Sequence, residues 1–235
     1  MILGIMQPYF LPYLEHFRLI AACDRWVVFD TVKYSRHSWM NRNRIINREK
    51  GWTYLGVPVS KPAPDQSVSE VLIAQDGWPV QLLDKLRLYE KHAPHYERTL
   101  GMLRGVLDQG HTRLVDLNVG LLQAVCRELG ITTPIVRLSE LQLGLPETLG
   151  PGEWALWISK ALGAQEYRNP SGGRELFDPA QFENAGIHLS FHQHRPWQYR
   201  TRPFEFQSDL SVIDPFMWVD RELIRGQLAP AGSGT

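Results

Sequence analysis

Cysteine is scarce in this chain: Cys23 and Cys126 are the two among 235 residues. Each sits inside a helix-like apolar run, and two thiols make no disulfide framework, so both are expected as core residues rather than as a cross-link or a nucleophile. Long apolar stretches are missing as well. The opening run "MILGIM" lacks a basic front and a small-residue cleavage site and soon meets Pro8, so it is not read as a signal peptide. No run approaches the roughly 18 apolar residues of a membrane span. A reduced, cytoplasmic protein is the expectation. An excess of one charge is also absent, since 25 Lys and Arg face 25 Asp and Glu. Without a global field to hold a polyanion, DNA or RNA binding is not expected. Three motifs are lacking too. There is no Walker loop, no Gly-x-Gly-x-x-Gly after the first strand and no Gly-x-Ser-x-Gly elbow, which disfavours triphosphate hydrolysis, ordinary dinucleotide binding and serine-hydrolase chemistry.

What is present is an alternation of strand and helix patterns. "ILGIM" reads as a strand buried on both faces. "PYLEHFRLIAACD" carries Tyr13, Phe17, Ile20 and Ala21 at helical spacing behind Pro12, and "RWVVFD" reads as a second strand. Strand, helix and strand within about 30 residues make a βαβ unit with parallel pairing. "WTYLGVPV" and "VSEVLIA" are expected as further strands around the exposed loop "SKPAPDQ". Residues 78–130 show helical periodicity and end on Gly130, a C-cap glycine. The alternation then resumes with "PIVRL", "EWALWISKALG", "EYR", "PAQFENAG" and "IHLSF". The expectation is an α/β fold, a mostly parallel, Rossmann-like sheet flanked by helices, forming one domain over 1–228 with an inserted helical block at about 78–130. Residues 229–235 are expected to be a disordered tail.

In parallel sheets, ligands bind beyond the carboxyl ends of the strands, and four polar clusters fall there. Gln7, Tyr9 and Phe10 follow the first strand. Asp30 ends the second and leads into "YSRHSWMNRNRI". "NPSGG" (169–173) follows the short strand, and "HQH" (192–194) the last. Between Lys33 and Lys50 six basic residues meet one acid, Glu49. Arginine forks and asparagine amides at this density suit an oxyanion, with Arg42 as holder between Asn41 and Asn43; the bland alternative pairs the arginines with local acids. His16 and Tyr13 share a helix face near its positive end, which makes His16 a candidate for proton transfer. His188, His192 and His194 share one strand face if the strand runs straight. A metal would need a further ligand that the sequence does not place, so His192 and His194 are read as polar or catalytic and no metal is assigned. Ser171, Gly172 and Gly173 can offer backbone amides to a phosphate or carbonyl oxygen.

The segments "MQPYFLPYLEHFRLI", "VVFDTVKYSRHSWMNRNRI", "YEKHAPHY", "RNPSGGRELFDPAQFENAGIHLSF" and "FQSDLSVIDPFM", in this order, resemble the WbqC-like family of bacteria over nearly the whole chain. The family pattern falls on Gln7, Tyr9, Tyr13, Asp30, Tyr34, Trp39, Asn41, Arg42, Asn43, Asn169, Gly172, Gly173 and Asp214, among others. Where the family usually has Tyr-x-Gly-Tyr, this chain has Tyr13-Leu14-Glu15-His16. The resemblance implies a setting in O-antigen, other surface-polysaccharide or specialised-metabolite pathways. The reading that follows is a biosynthetic transferase that moves a small acyl or aminoacyl group onto a sugar nucleotide or similar small anionic metabolite. Asp30 or a histidine would handle the proton, and no cofactor is identified. A nucleotidylyltransferase-like enzyme and a non-catalytic binding protein in a polysaccharide pathway are the alternatives.

Overall fold

The computed structural model describes residues 1–74, 77–144, 146 and 149–228. Its strands in chain order are β1 (Ile2–Met6), β2 (Arg25–Val28), β3 (Arg42–Asn47), β4 (Gly51–Gly56), β5 (Ile135–Arg137), β6 (Glu166–Pro170) and β7 (His188–His192). Its α-helices are α1 (Leu14–Ala21), α2 (Trp78–Leu86), α3 (Tyr96–Leu107), α4 (Leu114–Leu129), α5 (Glu153–Ala161), α6 (Pro179–Asn184), α7 (Ile213–Trp218) and α8 (Arg221–Gly226). Five strands form one parallel sheet in the order β5-β2-β1-β6-β7. The chain steps outward from β1 through β2 to β5, then returns to the other side of β1 with β6 and β7. The reversal between β1 and β6 opens a crevice at the carboxyl ends of these two strands.

Strand alternation decides which core each side chain enters. Leu3, Ile5 and Val27 face one way and meet Ile158 of α5 and Phe182 of α6. Trp26 and Val28 face the other way and meet Phe17 and Ile20 of α1 and Val125 of α4. Each such side chain, fully buried, contributes about 1.5–3 kcal/mol. Cys23 and Cys126 lie in this second core, where burial pushes both thiols up to about 12. They are inert packing residues. The helical block is α2, α3 and α4, and Gly130 caps α4 at φ 69°. No described helix is long and apolar enough to cross a membrane.

Two strand expectations change. "WTYLGVPV" does contain β4, but β4 pairs antiparallel with β3 in a separate two-stranded sheet. Most of the "NRNRI" segment, from Arg42 on, is therefore a strand. "VSEVLIA" forms a short 3-10 turn over Val68–Glu70, followed by isolated bridges at Leu72 and Ile73. Its buried Val68 and Val71 are three residues apart, the spacing of a helical turn, and both enter the core under the hairpin. The expected tail, 229–235, lies outside the described residues.

A buried acid joins the helical block to the hairpin. Asp214 of α7 accepts from the Tyr89 hydroxyl at 2.5 Å and the Tyr199 hydroxyl at 2.6 Å. Tyr89 in turn accepts from the Ile46 N–H of β3 at 3.2 Å. Burial pushes the Asp214 carboxyl up to about 6 against the opposing pull of these donors. A carboxyl raised in the folded state favours folding below its unfolded value near 4, and that contribution disappears as pH rises through about 6. Chemical denaturation from pH 4 to 8 is expected to show the wild type losing up to about 3 kcal/mol relative to Asp214→Asn across this window. A pH-independent difference between the two proteins would contradict the assignment.

Candidate functional site

The crevice between β1 and β6 widens into a cleft of about 1050 Å3. Gln7 and Tyr9 after β1, Thr31–Lys33 after β2, Asn169–Gly173 at the end of β6, and His192 and His194 after β7 all line it. Tyr13, Glu15 and His16 add the opening turn of α1, and Trp39, Asn43 and Arg44 come from the hairpin side. The sheet accounts for this convergence, because parallel strands deliver every following loop to the same edge.

The turn from β1 into α1 is held under strain. Leu11 adopts φ 43°, a conformation that costs a bulky residue about 1–3 kcal/mol. Its carbonyl accepts from Asn43 Nδ2 at 2.9 Å and Ser211 Oγ at 2.8 Å, and the Phe10 carbonyl accepts from Asn43 Nδ2 at 3.1 Å. Asn118 of α4 clamps the carbonyls of Pro8 and Met40, both at 2.7 Å. Asparagine thus serves here to fix backbone, and the fixed turn aims the first residues of α1 at the cleft. The opposite rim is equally tight. A Cβ on Gly173 would lie 2.3 Å from Asn169 Nδ2, so glycine lets the turn Ser171–Leu176 close over Asn169.

Glu15 is a buried acid in the cleft wall. Its carboxyl is nonetheless pulled down to about 2: burial opposes ionisation, and bonds from His192, the Arg195 N–H and Arg18 outweigh it. The Arg195 N–H donates to Oε1 at 2.8 Å, Arg18 pairs with the same oxygen, and His192 Nε2 lies 2.8 Å from Oε2. An ionised carboxylate only accepts, so Nε2 of His192 carries the hydrogen. In the neutral ring Nδ1 then holds the lone pair of a base. A second pair stands in the same cleft: His194 Nε2 lies 2.8 Å from Asp209 Oδ1. Asp209 sits at φ 53°, which aspartate tolerates, and its carbonyl accepts from Arg44 Nη2 at 3.0 Å.

Several expected residues stand elsewhere. Asp30 is buried with both carboxylate oxygens bound to Ser139, at 3.0 Å from its N–H and 2.6 Å from its hydroxyl, so it ties β2 to the 3-10 turn Leu138–Glu140. It does not line the cleft. Arg42 does not either: its guanidinium lies 4.0 Å over the Tyr54 ring and donates to the His37 carbonyl. Asn41 clamps the Val57 carbonyl, and Tyr34 belongs to the core beneath the hairpin. The arginine that lines the cleft is Arg44, two residues on and so on the same strand face as Arg42. His188 stands apart, exposed at the start of β7, while His192 at its end and His194 beyond it line the cleft and hold different acids. Among the described residues no cluster of three His, Cys, Asp or Glu could hold a metal.

His16 lines the cleft, and burial pushes its ring down to about 3, which holds the imidazole neutral at ordinary pH. It packs edge-on against Trp26, with ring centroids 5.0 Å apart. Trp26 in turn needs Gly4, where a Cβ would fall 2.4 Å from the indole. Gly4→Ala is expected to cost about 1–3 kcal/mol by thermal or chemical unfolding and to shift the His16 ring resonances. Unchanged stability and unchanged resonances would break this chain of contacts.

Glu15, Arg44, Lys33 and Asp209 were not singled out from the sequence. Glu15 had a visible signal, a carboxylate where the family pattern has glycine, three residues before Arg18 on the same helix face. Asp209 had none, because only the fold brings it to Arg44 and His194.

The WbqC-like family model matches residues 7–225. The chain is 27% identical over 214 residues to the uncharacterized protein Rv1507c of Mycobacterium tuberculosis, covering 90% of each chain. No solved structure matches it. The matched span contains every cleft residue from Gln7 to Asp209, and on that match the chain belongs to the WbqC-like protein family.

Proposed function

We propose that this protein is a cytoplasmic biosynthetic transferase that moves a small acyl or aminoacyl group onto a sugar nucleotide or a similar anionic metabolite in a polysaccharide or specialised-metabolite pathway. The observation that supports it is the Glu15–His192 pair in the switch-point cleft. In the transfer the acceptor's amine or hydroxyl bonds to the acyl carbon while that carbon's bond to the donor's activating group breaks; Nδ1 of His192 takes the acceptor's proton and returns it to the departing group. Glu15 fixes the tautomer and stabilises the imidazolium that results, as the acid does in other carboxylate–imidazole pairs. Arg44 draws the acceptor's negative groups into the cleft, and the Ser171–Gly173 backbone at the rim orients an oxygen. Nucleotidylyl transfer has less support, since the histidine it would use, His16, is held neutral against Trp26.

The test is a mass-spectrometric screen of sugar nucleotides against activated acyl donors, followed by variants. His192→Gln is expected to lower kcat by about 10²- to 10⁴-fold with acceptor affinity retained. Glu15→Gln is expected to lower kcat in the same direction. Turnover indifferent to both substitutions would reject the proposal.

A further inference from the structure

In the basic run between Lys33 and Lys50, Lys33 pairs with Asp65, whereas Arg42 and Arg44 lie over aromatic rings. Among the described residues Arg44 meets no carboxylate: it donates one hydrogen bond, to the Asp209 carbonyl, and its Nε is buried with no partner. Its guanidinium lies over two indoles, 5.6 Å from the Trp39 ring centroid and 5.4 Å from that of Trp52. Stacking holds the cation in place without cancelling its charge. Trp39 lines the cleft and is 41% exposed, an unusual state for tryptophan, while its backbone carbonyl is pinned by the Phe10 N–H at 2.8 Å. A rigid, open aromatic face therefore stands beside an uncompensated cation, in a cleft too large for a small acceptor alone.

We infer that Trp39 and Arg44 form a nucleotide subsite, with Trp39 stacking the base and Arg44 binding the diphosphate. This deepens the function proposed above and rests on it, placing the nucleoside end of the acceptor at the hairpin and its sugar toward His192. Stacking tolerates any base because every base has a π face, so selectivity for a particular nucleobase is not built by these two residues. The two contacts separate by chemistry: the ring recognises the base and the guanidinium recognises the phosphates.

Isothermal titration calorimetry with UDP, GDP, uridine, inorganic pyrophosphate and glucose 1-phosphate tests the assignment. UDP and GDP are expected to bind more tightly than uridine or pyrophosphate. Trp39→Ala is expected to weaken UDP about 10- to 100-fold and leave pyrophosphate unchanged, and Trp39→Phe to restore most of the loss, which separates stacking from misfolding. Arg44→Gln is expected to weaken UDP and pyrophosphate together. Equal affinity for UDP and pyrophosphate, or UDP binding indifferent to Trp39→Ala, would overturn the subsite. Tighter binding of glucose 1-phosphate than of either nucleotide would also overturn it, while leaving transfer to an anionic metabolite standing. Loss of turnover in His192→Gln reports on that broader reading independently.

Discussion

A carboxylate inside a protein must be met by donors or positive charge, or it takes up a proton. Glu15 is met on every side, and the elements that meet it are distant in sequence. Arg18 comes from the next turn of α1, His192 from the end of β7, and the Arg195 N–H from the segment beyond. Arg18 also donates to the Gln227 carbonyl after α8, so the last described helix is tied to the same charge. One buried acid thus fixes where the first helix, the last strand and the carboxyl-terminal helix lie relative to one another. The same demand for donors orients His192. Here the requirement for stability and the orientation of an imidazole in the cleft are one constraint.

The segment between β7 and α7 works with this charge. Residues 193–212 form no helix or strand, and structureless runs of this length in a compact fold are commonly functional. This one is anchored at both ends and in the middle. Arg195 meets Glu15, Tyr199 meets Asp214, and the Ser211 N–H and Val212 N–H return to the carbonyls of Arg44 and Pro12. It carries His194 and Asp209 to the cleft and presses on the strained turn at Leu11. The polar wall of the site is therefore the part with the least regular secondary structure, and side-chain bonds define its shape.

Two arginines of the basic run, Arg42 and Arg44, meet aromatic rings. Arg42 lies over Tyr54 and Arg44 over Trp39 and Trp52, along one face of the β3–β4 hairpin. Rings localise a guanidinium at little cost in desolvation and leave its charge available. Carboxylates would have localised it and cancelled it.

Much of the fold was legible in the sequence because its signals are local. The apolar run of β1, the helical stripe of α1, the three helices before Gly130 and the capped start of α6 at Asp178 all read directly from periodicity and end residues. The parallel order followed, and with it the expectation that loops after β1, β2, β6 and β7 meet. What the sequence left undecided was pairing: whether "NRNRI" was loop or strand, whether Arg42 or Arg44 faced the cleft, and which acid each histidine would find. Those outcomes depend on register and on long-range hydrogen bonds, with Asp30 drawn to Ser139, Glu15 to His192, and Asp209 to His194 and Arg44. Local propensity determines which segments become strands and helices. Only the closed fold decides which polar atoms lose water together, and that shared loss of water made the site.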